Sequence, residues 1–164
     1  MFNKKIFAMA LGLAALSVSP LHAADDARSS IHITANIPTQ QFHVQPRNPD
    51  FGKDEYMYYD PVKNHLSVLR ETFDVKNTDG SVHAYLPAGQ ASLTNGRDYI
   101  PLLVRFNNVT LLATPLEVVD DATSTPGTQA EMVIQASALP LPDQTGLYNA
   151  DFTVIFDAVP RVNP

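Results

Sequence analysis

The sequence predicts an all-β protein, a β-sandwich, on three observations. Apolar residues recur at every second position in several segments. Those segments are short and are separated by clusters of Asn, Asp, Gly and Pro, the residues that turns require. No stretch of useful length carries the apolar period of an amphipathic helix.

The chain opens on MFNKKIFAMALGLAALSVSPLHAADD, which has the three parts of a secretory signal peptide. Lys4 and Lys5 supply the positive start, and Ile6 to Val18 is an unbroken run of apolar and small residues with one serine. Ser19-Pro20 breaks the run, and cleavage is expected after Ala23. The apolar run is shorter than the roughly 20 residues a membrane helix needs. About 140 residues remain, enough for one domain with a substantial core. The expected organisation is therefore a signal peptide over 1–23, an N-terminal extension over 24–40 and a domain over 41–164.

The leader holds two lysines and no acid, so its removal takes the formal net charge from −6 to −8. An acidic chain lacks the cationic footprint that nucleic acid or an anionic membrane demands. There is no cysteine. Thiolate zinc sites and thiol catalysis are excluded, and stability must come from packing or from pairing with another chain.

The elements follow in order. Ser29–Thr39 (SSIHITANIPT) alternates Ile31, Ile33, Ala35 and Ile37 with His32, Thr34 and Asn36. Phe42–Gln45 is a short alternating run, and Arg47–Pro61 is polar, turn-rich and aromatic, a loop. Leu66–Asn77 carries strand-forming residues and stops at Asn77-Thr78-Asp79-Gly80, so it is expected to form a hairpin with the following SVHAYLP. Tyr99–Phe106 reads as a core strand, with Pro101 suggesting an edge or a bulge near its start. Asn107-Asn108 turns it into VTLLA, a second hairpin. LEVVDDA reads as one helical turn or a strand end. Asp120–Ala130 is expected as loop, Glu131–Ser137 as strand and Leu139–Gly146 as irregular, proline-rich chain. Leu147–Val159 is the best strand, with Phe152, Val154 and Phe156 on one face and Thr153, Ile155 and Asp157 on the other. Roughly eight to ten strands at this spacing make a sandwich.

Little in the sequence points to chemistry. His32, His43, His65 and His83 fall in separate segments and form neither H-x-H nor H-E-x-x-H. Asp54-Glu55 and Asp120-Asp121 are adjacent acids, which point apart in extended chain and read as solvated loop. There is no G-x-S-x-G and no Gly-rich phosphate loop. Asn108-Val109-Thr110 matches a glycosylation acceptor inside a hairpin. Tyr56, Tyr58 and Tyr59 are favoured as a cap on the sandwich, with sugar stacking as the alternative. No enzymatic activity and no cofactor are expected.

Attention therefore returns to Ser29–Thr39. A strand exposed near a processed terminus is an aggregation hazard unless its role is to complete another sheet. Adding a strand to an open edge satisfies main-chain donors and acceptors while alternate side chains fill pockets. Each isoleucine would contribute about 1.5–3 kcal/mol if fully buried.

The ordered set of segments resembles the major subunits of α-class (class 5) chaperone–usher fimbriae, of the colonisation factor antigen and cable pilus type. The resemblance rests on IHITANIPT, LSVLRETFDVKNTDGSVHAYLP, IPLLVRFNNVTLL, EMVIQAS and TGLYNADFTVIF in that order, and on the absence of cysteine. It implies an immunoglobulin-like sandwich that lacks one strand and is completed by a neighbour. It also implies a homopolymer of identical subunits, served by a periplasmic chaperone and an outer-membrane usher and ending in a tip adhesin. Localisation would be a cell-surface fimbria reached through the periplasm. Carried over, Ile31, Ile33, Ala35 and Ile37 form the donor face, and Phe152, Val154 and Phe156 are candidates for the acceptor groove. Alternation leaves open which face of the last strand points inward. The loop from Asp50 to Pro61 and the residues after Phe156 depart from the family pattern. The alternatives are a free-standing secreted carbohydrate-binding sandwich, a minor or adaptor pilin, and a small periplasmic hydrolase built on dispersed histidines and acids.

Overall fold

The computed structural model describes residues 41–162. The expected signal peptide, the expected extension and the expected donor face of Ile31, Ile33, Ala35 and Ile37 all fall outside the described residues.

The described chain is almost entirely strand. In order, the strands are β1 (Phe42–Pro46), β2 (Tyr59–Asp60), β3 (His65–Leu66), β4 (Leu69–Asn77), β5 (Gly80–Tyr85) and β6 (Ser92–Thr94). They continue with β7 (Tyr99–Phe106), β8 (Val109–Thr110) and β9 (Leu116–Val119). A one-turn helix, α1 (Asp121–Ser124), precedes β10 (Thr128–Ala136) and β11 (Ile155–Pro160). One sheet runs β1-β4-β10-β7-β6, with β8 on β7. A second runs β11-β5-β9, and β2 and β3 pair separately as a small ribbon.

The two larger sheets are joined by their apolar faces. Phe73 and Val75 of β4, Leu102, Val104 and Phe106 of β7, and Ala130, Met132 and Ile134 of β10 are buried from one side. Val82 and Ala84 of β5 and Val118 and Val119 of β9 are buried from the other. Each set is spaced largely by twos, as a half-buried strand requires. Three phenylalanine rings tie the layers together. Phe106 lies 5.4 Å from Phe73 and 4.9 Å from Phe156, both close to edge-on. That geometry sets ring edge against ring face, the favourable arrangement of their quadrupoles.

Several sequence expectations are corrected. Leu66–Asn77 and SVHAYLP do not form a hairpin. β4 pairs with β1 and β10, whereas β5 pairs with β11 and β9. The turn at Asn77–Gly80 carries the chain from one sheet to the other. Buried Asn77 holds it, donating to the Ser81 carbonyl at 2.7 Å and accepting from the Asp79 N–H at 3.1 Å. Tyr99–Phe106 is a strand as expected, but an interior one, between β10 and β6. Pro101 is tolerated because it lies beyond the last β7–β10 pair, Leu102 with Ala136, and only its carbonyl is used, by the Ser137 N–H at 2.9 Å. Asn107 and Asn108 form the expected tight turn, both at positive φ (48° and 66°). The final strand is shorter than the alternation suggested. It begins at Ile155, because Asn149 is bridged to Thr94 of β6 and residues 150–154 cross to the other sheet.

Candidate functional site

β11 is the element on which the site turns. Its residues pair antiparallel with β5, from Ile155 opposite Tyr85 to Pro160 opposite Gly80. Among the described residues no strand pairs with its other edge. Phe156 points into the core, where it meets Phe106 and, at 6.2 Å, Phe73. Phe152 and Val154, in the crossing segment before the strand, also pack against the core while staying partly exposed. The face that carries Phe152, Val154 and Phe156 is therefore the inward one. Phe42 and Val44 of β1 are partly buried against the same core from the other sheet.

The end of β11 is fixed from outside the strand. At its end, the backbone of Val159–Arg161 passes so close to Gly80 that a Cβ there would lie 2.0 Å from the Val159 carbonyl oxygen. Beyond the strand, the Arg161 N–H donates to the Asp79 carbonyl at 2.8 Å. The Arg161 guanidinium forks onto Asp121, with Nε to Oδ2 at 3.0 Å and Nη2 to Oδ1 at 2.9 Å. It also donates to the Thr78 carbonyl and to Thr125 Oγ1, both at 3.1 Å. Hydrogen bonds from Arg161 first, and then from Thr125, hold the Asp121 carboxyl below the usual aspartate range. Asp120 is lowered as well, by the Thr123 hydroxyl and N–H. Asp120 caps α1.

The acids that looked like solvated loop thus have structural tasks. Asp120 starts the helix and Asp121 anchors the last strand. The missed signal was the pairing of this acid with an arginine forty residues away, which no local spacing could indicate.

Among the described residues the histidines fall on separate strands, as their spacing implied, and His32 lies outside them. His43 is on β1, His65 on β3 and His83 on β5. His83 stands between Asp157 and Glu117 across the three-stranded sheet, with Nε2 3.9 Å from Glu117. Among the described residues no group of three or more His, Asp or Glu is placed to hold a metal ion. Two shallow clefts lie on the six-stranded sheet. The first is lined by His43, Asp74, Lys76 and Gly127. In the second, Arg70 pairs with Glu131 at 2.9 Å and Glu71 accepts from the Asn48 N–H, so its charges are already engaged.

The tyrosines are not a cap on the sandwich. Tyr56, Tyr58 and Tyr59 are 60%, 69% and 52% exposed. Phe51 and Met57 pack against the core instead, with Phe51 edge-on to Phe73 at 5.9 Å. Met57 between two outward tyrosines follows from the alternation of an extended chain. A phenol is also expensive to bury without a partner, whereas a thioether is not.

Among the described residues the fold is a curled antiparallel sandwich with the outer edge of β11 unpaired and phenylalanine and valine on its inward face, an arrangement that matches a pilin-type β-sandwich. The structure is similar to that of the CooA pilin subunit from enterotoxigenic Escherichia coli, with a TM-score of 0.53 at 18% identity, over 70% of this chain and 86% of that one. No curated protein matches the chain in sequence. Residues 27–157 match the family model of the CS1 type fimbrial major subunit, and the chain belongs to that family. It is a structural subunit of a cell-surface fimbria and polymerises with other pilin subunits.

Proposed function

We propose that this subunit polymerises by donor-strand exchange and has no enzymatic activity of its own. The donor is the extension over 24–40, with Ile31, Ile33, Ala35 and Ile37 as the apolar face. The acceptor is the edge of β11, with Phe152, Val154 and Phe156 lining part of the groove. The carrying observation is the one-sided pairing of β11 among the described residues, beside core side chains that remain partly exposed. A strand added there gains main-chain hydrogen bonds along Ile155–Pro160, and its alternate side chains finish the burial that Phe156 begins. Before assembly the same edge needs temporary cover, which gives a periplasmic chaperone its role, an outer-membrane usher the exchange step and a tip adhesin the fibre's end. The leader over 1–23 supplies export to the periplasm.

The test compares two forms of the chain after signal cleavage, both without a chaperone. One is Ala24–Pro164. The other lacks the segment through Thr39 at its start and carries it at the C-terminus on a short flexible linker. The rearranged form should be a stable monomer by sedimentation and thermal unfolding, while the native order polymerises or unfolds easily. A native order that is already a stable, non-polymerising monomer would mean that the strand pairs within its own sandwich. That result would favour a free-standing binding module.

A further inference from the structure

The three-stranded sheet has two edges, and strand exchange as read above uses one of them. β11 bounds the sheet on one side and β9 on the other. Among the described residues neither pairs with a further strand on its outer side. A bare edge takes up any strand that offers matching donors and acceptors. Something must therefore make β11 the acceptor and keep β9 from becoming one.

The two edges are built differently. β11 runs in unbroken register against β5 over six residue pairs, from Ile155 with Tyr85 to Pro160 with Gly80. β9 has four residues, and its register slips, with Val119 opposite Val82 but Glu117 opposite His83. Val118 is the extra residue, so β9 carries a bulge there. Pro115, which has no N–H, stands directly before the strand.

The bulged residue is also occupied. Asn107 Nδ2, from the turn between β7 and β8, donates to the Val118 carbonyl at 2.6 Å. The amide is aimed, since the Asn107 N–H donates to the Glu131 carbonyl at 2.9 Å and fixes the turn on its own sheet. The turn alone does not call for this side chain. Asn107 and Asn108 both have positive φ, which glycine would satisfy as well.

We propose that Asn107 is a specificity-determining residue for strand addition: its amide plugs the outer edge of β9 and so directs an incoming strand to β11. The inference rests on the strand-exchange reading. An amide on the bulged carbonyl removes an acceptor that a new strand would need, and the bulge puts the rest of β9 out of step with a regular ladder. β11 has the regular ladder that strand addition extends.

The test adds a peptide of Ser29–Thr39, with a photoreactive residue in place of Ala35, to the full exported chain and to its Asn107→Gly, Asn107→Asp and Asn108→Gly variants. After illumination and digestion, mass spectrometry compares adducts on Leu116–Val119 with those on Ile155–Pro160. All three substitutions put in residues that tolerate a positive φ, and circular dichroism checks that each chain folds. The share of adduct on β9 should rise about fivefold in Asn107→Gly, the ratio that one ordinary hydrogen bond carries. Asn107→Asp, which has no N–H to give, should do the same, and Asn108→Gly should leave the share unchanged. An unchanged share in both Asn107 variants would overturn the proposal even if they melt earlier, because Asn107 would then only fasten the hairpin to the other sheet. An equal rise in Asn108→Gly would overturn it too, by tracing the effect to the turn. The native chain judges the strand-exchange reading separately. If its adducts avoid Ile155–Pro160, that reading fails, while the change on Leu116–Val119 still decides the role of Asn107.

Discussion

Arg161 and Asp121 form a two-pronged ion pair across 40 residues of sequence, and the pair ties the end of the last strand to the helix that precedes β10. Both side chains keep about two-fifths of their exposure, so the contact is screened by water and salt. Its geometry is nonetheless the bidentate one in which arginine exceeds lysine. Arg161→Lys should therefore be almost as harmful as Arg161→Met, each lowering the thermal midpoint by about 2–5 °C. A lysine variant of native stability would show that charge alone, not the fork, matters there.

The same pair has a pH signature. Asp121 has a folded-state pKa below its unfolded one, because Arg161 and Thr125 bond its charged form. Its contribution to stability is therefore complete above the ordinary aspartate value and is lost as pH falls through the lower, folded value. The stability difference between native chain and Asp121→Asn should be constant near neutrality and close below about pH 4. Denaturant titrations across that range measure it, and a gap that widens on acidification would contradict the assignment.

Gly80 is required by the path of β11. Any Cβ there meets the backbone of Val159, Pro160 and Arg161, which cannot swing aside as a side chain could. Gly80→Ala should cost about 3 kcal/mol, the upper range for overpacking. At Gly52, where a Cβ would meet nothing within 4 Å, the same change should cost about 1 kcal/mol, from its left-handed backbone alone. Equal effects at the two sites would remove the steric explanation.

Asn77 is buried and satisfied through both ends of its amide. Asn77→Leu would leave the Ser81 carbonyl and the Asp79 N–H without these partners, at a cost of about 2–3 kcal/mol. A protein that unfolds at native denaturant concentrations after this change would show that the turn does not depend on the side chain.

Phe106 and Phe156 touch, yet they should respond differently. Phe106 is fully buried, and Phe106→Ala should cost about 3–5 kcal/mol in unfolding. Phe156 is only partly buried, so Phe156→Ala should cost less in the subunit and more in the uptake of a Ser29–Thr39 peptide. Peptide affinity unchanged by Phe156→Ala would argue against its place in the groove.

The local grammar of this chain was legible. The strand class, the Asn107–Asn108 hairpin and the irregular Leu139–Gly146 segment follow from alternation and turn residues, which act over a few positions. LEVVDDA proved to hold both of the options open to it, strand over Leu116–Val119 and helix from Asp121. The errors have one kind of cause. Asn77–Gly80 has the composition of a hairpin turn, but composition does not say whether the chain returns to its own sheet. Leu147–Val159 has the residues of one long strand, but with Asn149 tied to Thr94 the strand begins only at Ile155.

By itself, then, the sequence determined that the chain is made of strands, where most of them turn, and that no cysteine chemistry is available. It also carried the order of segments that marks the family. Only the tertiary structure decided which sheet each strand joined, that Phe156 faces inward, that Phe51 and Met57 rather than the tyrosines close the core, and that Asp121 holds Arg161. Each of those depends on partners far apart along the chain. A period of two fixes the alternation of side chains, while long-range pairing alone chooses which of the two faces meets the core.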